Sequence, residues 1–167
     1  MVPKTGLVVL DSNLFIIDLR YPRDRHFGIN RTFLERLPSL AQAATTLINL
    51  LEVCGVLSFN LKSQHVWELY EYLPERYGVT VLPRSTLPAS LPGLPLEHLL
   101  GLMAKKLSFG DALVLATLEA WVPQAACFIT WDARHFRGKI ALPIMTPKEF
   151  LDDIERVKRG RRPSKDQ

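Results

Sequence analysis

The chain of 167 residues is poor in cysteine, has no long apolar run and carries no phosphate-loop signature. Each shortage excludes a class. Two cysteines, Cys54 and Cys127, cannot build a disulfide framework or a Cys-rich zinc site. Both sit among apolar neighbours, as buried reduced thiols do. No stretch approaches the roughly 18 apolar residues of a membrane span. The N-terminus has no basic segment followed by an apolar one, so no secretion signal is expected. Neither GxGxxG nor GxxxxGK[ST] occurs, which removes the best signal for a nucleotide-cofactor enzyme. No Ser-His-Asp or Cys-His arrangement is legible, so covalent catalysis lacks support. An aspartyl-nucleophile phosphatase would want a second Asp two residues after Asp11, and Asn13 stands there.

What is present suits a folded domain. At 47% hydrophobic and 23% charged, the composition supports a sizeable core and excludes wholesale disorder. The net charge of +4 lies in the last ten residues, where five Lys and Arg face one Asp. The body is neutral, which excludes a uniformly basic nucleic-acid coat but leaves room for local patches. One domain is expected over residues 1–157, followed by a basic, disordered tail at 158–167. The chain reads as soluble, cytoplasmic and without a membrane partner.

Short apolar runs alternate with helical patterns. Gly6–Asp11, Ala43–Thr46, Gly78–Leu82, Ala126–Thr130 and Ile140–Ile144 read as strands. Helices are predicted at Asn13–Leu19 behind a Ser12 cap, around Thr32–Leu37, and at Leu47–Ser58, His65–Leu73, Leu96–Lys106, Asp111–Val122 and Pro147–Val157. Gly28 and Ser108–Gly110 read as breakers, and four prolines make Pro83–Pro95 irregular. The alternation predicts an α/β fold, with a central, mainly parallel, twisted sheet flanked by helices.

Two acids stand at strand ends. Asp11 closes Val8-Val9-Leu10, and Asp132 follows Phe128-Ile129-Thr130 by one residue. In an open parallel sheet the strand carboxyl ends share one edge, where ligands bind at the topological switch point. Asp111 begins a helix, where the dipole favours an anion. Glu52 lies within a helix, two residues from Leu50 and Cys54. Each has a plainer role as well. Asp11 can bond a turn, Asp111 can serve the dipole, and Glu52 can sit solvated at a helix rim.

Taken together, Asp11-Ser12-Asn13, Glu52 within Asn49–Val53, Gly110-Asp111-Ala112 through Ala116, and Thr130-Trp131-Asp132 through Phe136 resemble the four motifs of the PIN-domain ribonucleases. The ending Ile144–Leu151, with Pro147 and Phe150, resembles the VapC-like toxin branch of that family. The resemblance covers residues 6–151. It implies a Rossmann-like PIN domain and a Mg²⁺- or Mn²⁺-dependent endoribonuclease that cuts RNA with a metal-activated water. It also implies a homodimer restrained by a cognate antitoxin. Asp11, Glu52, Asp111 and Asp132 would then be the catalytic, metal-binding acids, converging in one crevice, with Asn13 and Thr130 in support.

Physics agrees with that implication. Two carboxylates about 4 Å apart repel by roughly 4 kcal/mol at an effective dielectric near 20, so converging acids need protons or a cation. Hard oxygens without His or Cys beside them favour Mg²⁺ or Mn²⁺ over zinc. Arg134 and Arg137, just past Asp132, are candidates for RNA phosphate contacts, with a solvated loop as the plainer reading. Trp131 departs from the polar or basic residue often found there in the family, and either stacks on a base or packs at the pocket edge. The rival reading from another class is a non-catalytic PIN-like module that binds RNA or a protein.

Overall fold

The computed structural model describes residues 6–84 and 90–160, with side chains to residue 157. Most of the expected tail, and the centre of the Pro83–Pro95 segment, lie outside those residues. The order of elements is β1 (Leu7–Leu10), α1 (Ser12–Arg20), α2 (Phe27–Arg36), a 3-10 turn (Leu37–Ser39), β2 (Gln42–Thr46), α3 (Leu47–Ser58) and α4 (Ser63–Tyr77). It continues with β3 (Val79–Leu82), α5 (Leu96–Ala104), α6 (Phe109–Trp121), β4 (Ala125–Ile129), α7 (Ala133–Phe136), β5 (Ile144–Met145) and α8 (Pro147–Gly160).

The five strands form one sheet in the order β3-β2-β1-β4-β5, and every pairing is parallel. The chain first builds outward from β1 through β2 to β3, then returns to place β4 and β5 on the other side. The reversal lies between β1 and β4. There the connections leave in opposite directions and open a crevice at the strand carboxyl ends.

Strand alternation divides the core in two. Val8, Leu10, Cys127 and Ile129 face one layer, packed with Leu14, Phe15, Phe33, Leu50, Leu73 and Phe150. Val9 and Phe128 face the other, with Leu102, Leu115, Leu118 and Phe136. Because both faces are covered, the inner strands read as continuous apolar runs rather than alternating ones. Both cysteines are buried and free.

Several boundaries differ from those expected. The last strand is only Ile144–Met145, not Ile140–Ile144, because Pro143 has no N–H to give the ladder; its carbonyl still accepts from the Phe128 N–H. Gly28 and Gly110 break nothing. Each sits in the first turn of a helix, α2 or α6, where backbone N–H groups have no intrahelical partner to lose. Helix α4 runs through Pro74 and ends at Gly78, whose φ of +61° suits the left-handed cap. The short α7 was not expected, and α8 continues three residues past Val157.

Candidate functional site

Asp11 follows β1 directly and extends its pairing by one residue, since its N–H donates to the Ile129 carbonyl (3.0 Å). An extended backbone lets its side chain, not that of Ser12, cap α1. Asp11 Oδ1 accepts from the Ser12 N–H at 2.9 Å, and the helix begins at Ser12. The same oxygen accepts from Asn49 Nδ2 (2.9 Å), while Oδ2 accepts from the Thr130 hydroxyl (2.6 Å). Asp11 is 6% exposed. Burial pushes its carboxyl up to about 7. The charges of Glu52 and Asp132 add to the rise, and the Thr130 and Ser12 hydrogen bonds oppose it.

Thr130, fully buried just beyond β4, is the hub of the switch point. Its hydroxyl donates to Asp11 and accepts from Asn13 Nδ2 and from the Asp132 N–H, both at 3.0 Å. Asn13 also reaches Asp132 Oδ2 at 3.4 Å, so it serves Thr130 and Asp132 rather than Asp11. Glu52 lies on α3, exposed, three residues after Asn49 and so on the same helix face. Its Oε2 accepts from the Ser12 hydroxyl at 2.7 Å. Asn49 is held in turn by Thr46, whose hydroxyl caps α3 and donates to the Asn49 side-chain oxygen.

Asp11, Glu52 and Asp132 therefore share one hydrogen-bonded cluster. Asp111 belongs to a neighbouring one. It forms a capping box with Ser108 at the start of α6, and its Oδ2 meets His135 Nε2 of α7 at 3.1 Å. Helix α7 links the two, because Asp132 precedes it and His135 lies within it. Among the described residues, no three His, Cys, Asp or Glu side chains stand close enough to clasp an ion by themselves. The donor set still fits a hard cation such as Mg²⁺, which takes one or two carboxylates directly and keeps several waters.

The basic candidates divide. Arg134 is exposed and forms no ion pair among the described residues. Arg137 is committed elsewhere: it bonds Glu149 and the Ile144 carbonyl, tying the end of α7 to the start of α8. Burial raises the Glu149 carboxyl, but the Thr146 N–H and Arg137 outweigh it and hold the group below its ordinary value. Trp131 is half-buried. Its indole N–H donates to Asn30 Oδ1 (2.9 Å), and its ring stacks on that of His26 with centroids 4.0 Å apart.

Sequence reasoning missed Ser12, Asn49 and His135 as parts of the site. The spacing of Asn49 and Glu52 was an available signal for one shared helix face. Nothing local announced the His135 contact, which depends on how α7 meets α6.

No family model matches the chain, and no curated protein does. Solved structures do. VapBC2 from Rickettsia felis, bound to a DNA fragment from its promoter, is 14% identical, with 84% of this chain and 98% of that one covered at a TM-score of 0.55. VapBC-1 from nontypeable Haemophilus influenzae is 19% identical, with coverages of 85% and 98% and a TM-score of 0.54. A toxin–antitoxin complex from Klebsiella pneumoniae is 20% identical, with coverages of 84% and 97% and a TM-score of 0.52. At such identities the likeness is one of architecture, and by that architecture the chain has the PIN-domain fold these proteins share.

Proposed function

We propose that the chain is an endoribonuclease dependent on Mg²⁺ or Mn²⁺, and that it is the toxin of a toxin–antitoxin pair. The observation that carries this reading is Asp11. A nearly buried carboxyl at the switch point, raised to about 7 and flanked by Glu52 and Asp132, is a group that a cation would relieve.

Each residue has a distinct task. Asp11 and Asp132 hold the ion, directly or through water, while Glu52 and Asp111 complete its surroundings or orient the attacking water and accept its proton. When bound, the ion polarises the scissile phosphate and makes a water more acidic. Thr130 keeps Asp11 Oδ2 aimed, Ser12 holds Glu52, and Asn13 holds Asp132. Arg134, which forms no ion pair among the described residues, offers a cation to an RNA phosphate, without which the acids would repel the substrate. The substrate is single-stranded or looped RNA, cut to a 5′-phosphate and a 3′-hydroxyl.

An antitoxin partner fits the same reading, since the similar Klebsiella pneumoniae structure is a toxin–antitoxin complex. A homodimer is part of the proposal. The deciding test is cleavage of mixed cellular RNA with Mg²⁺, Mn²⁺ or EDTA, beside an Asp11→Asn control. Cleavage that disappears with EDTA and in the variant is expected. Folded protein that retains RNA without cutting it would support the non-catalytic module instead.

A further inference from the structure

Trp131 lies between Thr130 and Asp132, and its main-chain N–H reaches Asn13 Oδ1 at 3.4 Å. Its placement is therefore tied to the crevice. The indole edge is fixed by Asn30, a fully buried residue whose own amide donates to the Leu14 carbonyl at 2.8 Å. Over the ring lies the imidazole of His26, 23° from parallel. His26 is held as well. Its main-chain N–H donates to Asp24 Oδ1 (2.7 Å), and its ring Nε2 accepts from Arg25 Nε (2.9 Å). A two-ring stack thus stands beside Asp132, carried by the segment that joins α1 to α2.

That segment carries Arg23 and Arg25 against Asp24, and Arg20 ends α1 just before it. It also borders a cavity of about 480 Å³ lined by Arg20, Tyr21, Pro22, Arg23 and Asp24. Aromatic faces beside guanidinium groups are the chemistry of single-stranded nucleic-acid grooves: bases stack on the rings and the cations follow the backbone. Core packing alone accounts for the buried part of Trp131. It does not account for an imidazole from the α1–α2 segment stacked on the ring and bonded to an arginine.

We infer that His26 and Trp131 form a stacking platform for the nucleobase next to the scissile phosphate, which makes this pair a determinant of the sequence cut. The inference rests on the nuclease reading above for its substrate class. Its test, however, reads binding without cleavage.

Trp67 and Trp121 are exposed, so replacing both with Phe leaves Trp131 as the sole tryptophan. Short homopolymeric RNA strands of each base are titrated against this protein in EDTA. Saturable quenching of the Trp131 emission is expected, with an affinity that differs between bases. His26→Ala should weaken binding about tenfold, and His26→Phe should restore most of it. In cleavage assays, the His26→Ala loss should fall on KM more than on kcat. An abasic strand of equal charge should bind far more weakly. Unaltered affinity in His26→Ala, absent quenching, or equal binding of the abasic strand would overturn the platform. Quenching and the His26→Ala effect without any cleavage would uphold the platform and remove the nuclease.

Discussion

Asp11 answers to opposed demands. It must cap α1 and bond Asn49 and Thr130, yet its burial disfavours the charge that makes those bonds strong. The folded chain holds the Asp11 proton up to about pH 7, whereas the unfolded chain releases it near 3.8. Over that window the folded state binds more protons, so stability falls as pH rises and levels off above about 7. Thermal melts in EDTA should give a Tm higher at pH 5 than at pH 8. In Asp11→Asn that difference should shrink, and the pH 8 Tm should be at least that of the wild type. RNA cleavage by Asp11→Asn should meanwhile fall by at least about 100-fold, the scale on which loss of one well-placed catalytic group is felt. A folded variant that cuts at the wild-type rate would remove Asp11 from the catalytic set.

At the scale of elements, the site is a junction of β1, α1, α3 and β4, and Thr130 closes it. Thr130→Val keeps the shape but leaves Asp11 Oδ2, the Asn13 amide and the Asp132 N–H each without this partner. Destabilisation of about 1–3 kcal/mol is expected from urea unfolding, together with reduced cleavage. The elements that were legible were those whose signal is local. Strands β1 and β4 are covered on both faces, so their sequences are apolar throughout, and that placed Asp11 and Asp132 at the correct edge. Helix α7 has four residues, too few for any period to appear. Ser12 carries no local mark of its tie to Glu52 either, because that partner lies 40 residues away in sequence. The contact of Asp111 with His135, rather than with the other acids, is likewise a matter of how α6 and α7 meet.

Across the whole molecule, the sheet keeps two separate cores in register, and each thiol is sealed into the one packed against α1 to α4 and α8. Burial pushes Cys54 up to about 11 and Cys127 up to about 12, so neither is a thiolate at neutral pH. A disulfide reagent such as DTNB should leave both unmodified in the native protein and titrate two thiols after denaturation. Rapid native labelling would contradict the packing. The parallel topology has a different outcome for a chain still being made. Its most important hydrogen bond, from Thr130 to Asp11, spans 119 residues, and β4 must slot in beside β1 before that bond exists. A ribosome that has released only the first hundred residues holds half a crevice. If the mature protein cuts RNA, its own synthesis is harmless until the last third of the chain emerges.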